Sequence, residues 1–316
     1  RTHLPPSFDV VDDSFASSPW WVLWPEFQER IWDFSSNHDF LVNTDIANYF
    51  DCISLDLLRN SVSGLGYIEE ELLDFLFYML EGFSWRPFFI PHPRVGLPQV
   101  NFDAPRLLAH VYLFKIDAEL DDRTDGDFVR WMDDINAGVD SRSQAKKLLR
   151  DLEVVLNSQG LRLNAGKTRI LTAREALLHF RVRDNRALTI IENSIKTGAA
   201  TKKGRERRLK TLRSQYRKFL RSPRQGQWDK VMKRFYKLFG LLGSRHLRET
   251  ARSHIRDRPS VRSTALRYIH RTGCTPKSLE IICEWLRSSH LTDDLSLIEA
   301  ATALVDWPIP ESQWAG

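Results

Sequence analysis

The sequence predicts an α/β core built around one sheet, followed by an all-helical and strongly basic region. Three observations carry this expectation. Short β-prone runs alternate with helical periods over the first 200 residues, as in a layered sheet-and-helix domain. Strand signals stop at about Lys202, after which apolar residues recur only at helical spacing. The charge also changes sign along the chain. Residues 1–140 carry 9 basic and 25 acidic residues, net −16, and residues 141–316 carry 37 basic and 16 acidic, net +21, inside an overall charge of +5. Domain limits are accordingly expected at 1–200 and 201–316.

Residues 1–19 are rich in Pro, Ser and Asp and read as irregular, whereas 20–34 place Trp24, Phe27, Ile31 and Phe34 on one helical face. Residues 40–46 form a β-prone run. Residues 55–62 and 69–80 are helical by periodicity, with acidic residues near their N-terminal ends. Residues 85–90 suggest a strand, Gly96-Leu97-Pro98-Gln99 a turn, and 105–120 one long helix. A strand over 128–132, broken at Asp133-Asp134 and resumed at Ile135, is the pattern of a hairpin with carboxylates at its bend. A helix over 143–158 ends near Gly160, with further strands at 162–163 and 168–172. In the second region, residues 202–221 hold ten Lys or Arg against the single acid Glu206, and 261–272, 276–289 and 293–305 read as short amphipathic helices resembling a stacked repeat.

A chain of 316 residues and 36.8 kDa with 42% hydrophobic residues can bury a substantial core. No apolar run approaches the roughly 20 residues that span a bilayer, and no basic-then-apolar opening resembles a signal peptide. Cys52, Cys274 and Cys283 lie too far apart for zinc spacing and are too few for a disulfide framework, so a cytoplasmic protein without membrane contact is expected. The sequence starts at Arg1 rather than Met, as a processed N-terminus or missing upstream residues would leave it. The basic half suits a polyanion, and concentrated carboxylates in the acidic half suit either metal ligation or a solvated face.

Asp45 follows an apolar run and Asp133-Asp134 lie between two, so strand pairing can bring the three together. Converging carboxylates fit Mg²⁺, which takes hard oxygen ligands and commonly one or two carboxylates plus substrate phosphates. Two ions roughly 3.5–4 Å apart can clamp the attacking and leaving oxygens of phosphoryl transfer. Taken singly, an Asp-Asp pair is an ordinary turn.

Four blocks in order change that reading: Thr44-Asp45-Ile46-Ala47-Asn48-Tyr49-Phe50-Asp51, Gly96-Leu97-Pro98-Gln99, Trp131-Met132-Asp133-Asp134, and Gly160-Leu161-Arg162-Leu163-Asn164-Ala165-Gly166-Lys167-Thr168. Together they resemble a reverse transcriptase over about residues 40–170. The resemblance implies a palm-type right-hand polymerase core with fingers in residues 1–200, and a thumb-like or helical-repeat region in 201–316. It also implies an RNA-directed DNA polymerase using Mg²⁺, with Mn²⁺ as an alternative, and deoxynucleotide substrates. Asp45, Asp133 and Asp134 become the catalytic carboxylates and metal ligands, with the Ile46 carbonyl as a backbone ligand. Phe50 becomes the steric gate beneath the sugar, Gln99 a residue near the nascent base pair, and Lys167 a cation at the triphosphate. Their plain alternatives are core packing, a turn-capping amide and an exposed lysine.

On the same reading, Lys202, Lys203, Arg205, Arg207, Arg208, Lys210, Arg213 and Arg217 track a template-primer backbone, with Tyr216 and Phe219 offering stacking or packing surface. The plain alternative is a solvated helix face. Arg106 and Arg130 fit nucleic-acid contact and ordinary ion pairing equally. The tryptophans at 20, 21, 24 and 32 fit a core or subunit contact.

Departures from the family pattern are informative. Trp131 stands where tyrosine is usual, and Val100 replaces a common glycine. Only Arg1 and Arg30 are basic before Asp45, so either a fingers segment lies outside this sequence or another segment grips the triphosphate. The helical end resembles bacterial defence-associated, abortive-infection reverse transcriptases, and no Val-Thr-Gly tripeptide marks a retron enzyme. The expected partners are an RNA template, with a dedicated non-coding RNA as one candidate, a DNA product and a second copy of the chain. The primer is a DNA end or a protein hydroxyl, and untemplated synthesis is a further candidate. Two alternatives stand: a retron or group II intron-like reverse transcriptase, and a catalytically silent RNA-binding scaffold with a polymerase fold.

Overall fold

The computed structural model describes residues 20–83, 89, 94–98, 103–198, 201–288 and 293–308. The chain divides into two compact units, Arg1–Leu177 and Leu178–Gly316. The first holds a small four-stranded sheet among helices and the second is helical, which makes the protein mostly helical and α+β in class.

In the first unit β1 (Phe40–Asp45), β2 (Phe128–Trp131), β3 (Asp134–Val139) and β4 (Arg169–Thr172) form one sheet in the order β2-β3-β1-β4, with every pair antiparallel. Alternate residues of each strand point to opposite faces. One face carries Val42, Phe128, Ile135 and Ala137 into the core made with α6 (Phe114–Thr124) and α7 (Arg142–Ser158), where Ile116, Leu120, Leu148, Leu152 and Leu156 are buried. The other carries Leu41 and Val129 beneath α1 (Trp20–Asn37), whose Phe27, Ile31 and Phe34 are buried at helical spacing. Between β1 and β2 run α2 (Tyr49–Cys52), α3 (Leu55–Ser63), α4 (Glu70–Phe83), α5 (Asp103–Tyr112) and then α6.

The expected strand over 128–132 and its return at Ile135 are present as β2 and β3, and the expected run at 40–46 is β1. The single helix expected over 105–120 is instead α5 and α6, broken at Leu113. Neither Gly nor Pro stands at the break. Ala109 to Leu113 are all buried, so packing on all sides fixes a turn that periodicity does not encode. Residues 162–163 form only a bridge, Leu163 pairing with Ile46. Of the strand expected at 85–90, only Phe89 lies within the described residues, in a turn.

The second unit begins within α8 (Ala173–His179) and continues through α9 (Val182–Thr197), α10 (Lys202–Leu220), α11 (Trp228–Leu241), α12 (Arg248–Asp257), α13 (Pro259–Arg271), α14 (Pro276–Leu286) and α15 (Asp294–Asp306). The boundary falls at Leu177/Leu178 and not at residue 200, because α9 sends Leu188 and Ile191 into the helical core around Phe235 and Phe239. Thr201, Thr275 and Asp293 cap their helices, each accepting a backbone N–H three residues on. α13 lies against α11, α12 and α15, and α12 against α14. Alternate helices thus stack as neighbours, as in helical-repeat arrays. No helix among the described residues is long and apolar enough to cross a membrane.

Gly138 of β3 has a specific task. His38 hydrogen-bonds Asp127 at 2.9 Å and Asp140 at 2.7 Å, and its ring lies where a Cβ on Gly138 would come within 2.3 Å of Cδ2. Gly138→Ala is expected to expel the ring and cost about 1–3 kcal/mol, read as a lowered urea midpoint at unchanged slope.

Candidate active site

Antiparallel register builds the site. Asp45, the last residue of β1, pairs with Asp134, the first of β3, so both side chains leave the same face of the sheet. Trp131 pairs with Asp134 as well, leaving Met132 and Asp133 as a two-residue hairpin turn. Met132 adopts φ +54, the backbone region that favours glycine. Its geometry is held from below: Arg130 Nη1 donates to the Met132 carbonyl at 2.9 Å, while Nε donates to Asp117 at 2.6 Å. Arg130 is only 4% exposed, so of its two readings the structure selects the ion pair, and the pair anchors the hairpin to α6. The Ile46 N–H donates to the Asp133 carbonyl at 3.2 Å, tying the turn to the end of β1.

A strap formed by residues 160–168 crosses the end of β1. Gly160 turns it at φ +72. The Ala47 N–H donates to Arg162 at 2.9 Å, and the Asn164 N–H donates to the carbonyl of Asp45 itself at 2.8 Å. The Asn164 carbonyl then accepts the N–H groups of Lys167 and Thr168, and the Thr168 hydroxyl meets that of Thr44 at 2.6 Å. This closes a turn that presents Lys167, whose ammonium ion-pairs with Asp45 Oδ2.

Electrostatics follow from burial. Asp45 is 2% exposed, and its Oδ1 has no hydrogen-bond partner. Asp133 is pushed above the usual carboxylate range, chiefly by burial and further by the charge of Asp45, with Lys167 and Arg130 pulling it down. The hydrogen bond to Asp45 raises Lys167 above the ordinary lysine value, and the charges of Asp134 and Asp133 add to it. The three expected carboxylates and Lys167 therefore share one end of the sheet.

Hard oxygen donors, a surplus of negative charge and an orphaned Oδ1 fit a divalent cation in their chemistry. Among the described residues, however, no three His, Cys, Asp or Glu side chains stand close enough to enclose an ion. The carboxylates supply a face and not a closed cage.

Phe50 is half-buried against the core, edge-on to Tyr49 at 5.6 Å. Its carbonyl accepts the Leu97 N–H at 2.9 Å, and Gly96, at φ +102, donates to Ile53 at 2.8 Å, so this loop docks along α2. Gln99 and Val100 lie outside the described residues. Trp131 packs its ring edge against Phe27 of α1 at 5.8 Å. Arg106 is exposed and pairs with Asp103 at 3.6 Å. Asp117, which holds Arg130, also shapes the site and carries no recognisable signal in sequence, whereas Thr44 and Asn164 stand within two of the four sequence blocks and act through Thr168 and the Asp45 carbonyl. Trp32 is half-buried, and the side chains of Trp20, Trp21 and Trp24 lie outside the description.

In the second unit, α10 buries Leu212, Tyr216 and Phe219 and leaves Lys202, Lys203, Arg205, Arg207, Lys210, Arg213 and Arg217 exposed, with Arg208 half-buried. The contacts of three of these residues narrow their readings. Tyr216 packs against Phe235 at 5.2 Å and Phe219 stacks on Trp228 at 5.0 Å, so both serve the core and neither offers a surface for bases. Arg205 donates Nε to Leu242 at 2.7 Å and Nη2 to Gly243 at 3.2 Å, capping the carbonyl end of α11.

Fold and site thus define an α+β protein with an acidic cluster at the end of a small antiparallel sheet and a separate basic helical unit. No protein-family model matches the chain, and no curated protein matches it significantly.

Two outcomes are expected here. Arg130→Met leaves Asp117 buried and unpaired and should cost about 3–5 kcal/mol, much of it regained in the double variant with Asp117→Leu, as measured by chemical denaturation. Burial and the Arg130 charge push His110 down to about 3 from 6.5. The unfolded chain therefore takes up the proton first, and stability is lost as pH falls from 6.5 toward 3. His110→Asn should flatten that loss by up to about 1.4 kcal/mol per pH unit in a pH series of urea midpoints.

Proposed function

We propose that the chain is an RNA-directed DNA polymerase with a palm-type core, extending a DNA or protein primer with deoxynucleotides by two-metal nucleotidyl transfer in bacterial antiphage defence. One observation carries the reading: strand register gathers Asp45, Asp133 and Asp134, from blocks far apart in sequence, at one sheet end beside Lys167. The four family-like blocks support it further, since three of them meet there and the Gly96-Leu97 loop docks beside Phe50.

In this reading Asp45 and Asp133 hold Mg²⁺ or Mn²⁺, with Asp134 and the Ile46 carbonyl in support. The ions, when bound, supply Lewis-acid activation of a primer hydroxyl and neutralisation of the leaving pyrophosphate. The chain's own residues position. Phe50 stands below the sugar, Lys167 meets the phosphates, and the outward cations of α10 follow a nucleic-acid backbone by phosphate neutralisation.

A second reading is an RNA-binding scaffold without catalysis. It is favoured by the Lys167 ion pair, which neutralises Asp45 without any metal.

Incorporation of labelled deoxynucleotides separates the two. The protein, purified with the nucleic acid it carries, is expected to make DNA with Mg²⁺. Asp45→Asn and Asp133→Asn should each lower incorporation at least about 10²–10³-fold while leaving salt-sensitive RNA binding intact. Sequencing the product with and without RNase treatment distinguishes templated from untemplated synthesis. Full binding with no product from the unmodified chain would sustain the scaffold.

A further inference from the structure

Lys167 stands at the acidic cluster in an unusual balance. Its side chain is 65% exposed, whereas that of Asp45, its partner, is 3% exposed. The carboxylate is thus fixed and desolvated, and the ammonium reaches it from water on a flexible four-carbon stem. Leaving water for this contact costs the lysine little, but an unpaired Asp45 would bear the full cost of a buried charge. Only Oδ2 is satisfied. Oδ1 faces no donor, although it is equally buried. One monovalent cation therefore covers half of a carboxylate whose neighbours, Asp133 and Asp134, add further negative charge.

The anchoring of this lysine shows what can move. The strap is tied to the strand through backbone bonds, Asn164 to Asp45 and Ala47 to Arg162. The Lys167 N–H is itself fixed to the Asn164 carbonyl at 3.0 Å. Breaking the ion pair consequently displaces the stem and ammonium alone and leaves the strap in place.

We propose that Lys167 is the resident cation of the carboxylate cluster, which neutralises Asp45 while no divalent ion is present and yields Asp45 Oδ2 to the ion when one binds. Ion binding and release of the lysine are then one event. The freed ammonium, still tethered beside the cluster, becomes available to an anionic ligand only after the ion has arrived. This rests on the reading of Asp45 as a ligand for a divalent cation. It adds an order of events: the lysine competes with the ion for the same oxygen and afterwards serves the ion's partner.

Competition of this kind is read by binding and by chemical accessibility, independently of turnover. The full chain, Lys167→Met and Lys167→Arg are compared by thermal denaturation over a MgCl₂ titration. Lys167→Met is expected to melt lower than the unmodified chain without Mg²⁺ and to respond to Mg²⁺ at a roughly tenfold lower concentration, because no internal cation competes. Lys167→Arg should keep the unmodified midpoint. In the unmodified chain, acylation of Lys167 by an amine-reactive reagent, followed by peptide mass mapping, should quicken when Mg²⁺ is added, while that of Lys146 and Lys147 on α7 stays constant. Equal Mg²⁺ midpoints for Lys167→Met and the unmodified chain, with constant acylation, would overturn the displacement and leave the ion site standing. No thermal response to Mg²⁺ in any of the three proteins would overturn the ion site and the displacement with it.

Discussion

The pairing of β1 with β3 is the constraint on which the rest of the acidic unit depends. Side chains alternate along a strand with a period of two, so a slip of one residue would carry Asp45 to the opposite face, away from Asp134. Hydrophobic burial fixes the register. Val42 of β1 and Ile135 and Ala137 of β3 must meet α6 and α7, and that requirement sends Asn43, Asp45, Asn136 and Asp134 to the other face. Two polar residues show how closely the faces are specified: buried Asn136 and half-buried Asn43, paired in register, share a side-chain hydrogen bond of 2.9 Å.

Two cations then divide the electrostatic work by burial. Arg130 lies inside with both donor edges occupied, one by Asp117 and the other by the Met132 carbonyl, and it acts as a brace. Its planar fork suits that role, because a buried guanidinium needs several acceptors at once. Lys167 is the reverse case, an exposed charge paired with the same cluster from its surface. The hairpin tip between them is under local strain. Met132 carries a Cβ in a backbone region that costs L-residues about 1–2 kcal/mol, and the brace from Arg130 is what the surrounding structure supplies against it.

Much of this was legible in the sequence, for reasons particular to each element. The hairpin could be read because two apolar runs flank a polar pair, and β1 because β-prone residues cluster ahead of Asp45. Helices α1, α4, α7 and α10 followed from their periodicity. What escaped was decided by contacts distant in the chain. The break at Leu113 has no glycine or proline to announce it, and α9 joins the helical unit through Leu188 and Ile191 in its core and through Asn185, Thr189 and Glu192, which accept hydrogen bonds from Arg234 of α11. Tyr216 and Phe219 looked equally suited to bases and to a core, because aromatic residues on a basic helix serve either; only the facing Phe235, Phe239 and Trp228 decide it. Arg205 shares its composition and spacing with the cations around it, and its capping of α11 depends on a carbonyl more than thirty residues away.

The strap over 160–168 has a bearing on how this protein can change. Its hold on the strand runs almost entirely through main-chain groups, which every amino acid but proline provides. Arg162, Ala165 and Gly166 point their surfaces to water and contribute no side-chain bond to the cluster. Chemical identity at those three positions is thereby uncoupled from the placement of Lys167. The segment can drift, or carry a reporter group, beside the strand end that bears Asp45 while the geometry beneath it is inherited unchanged.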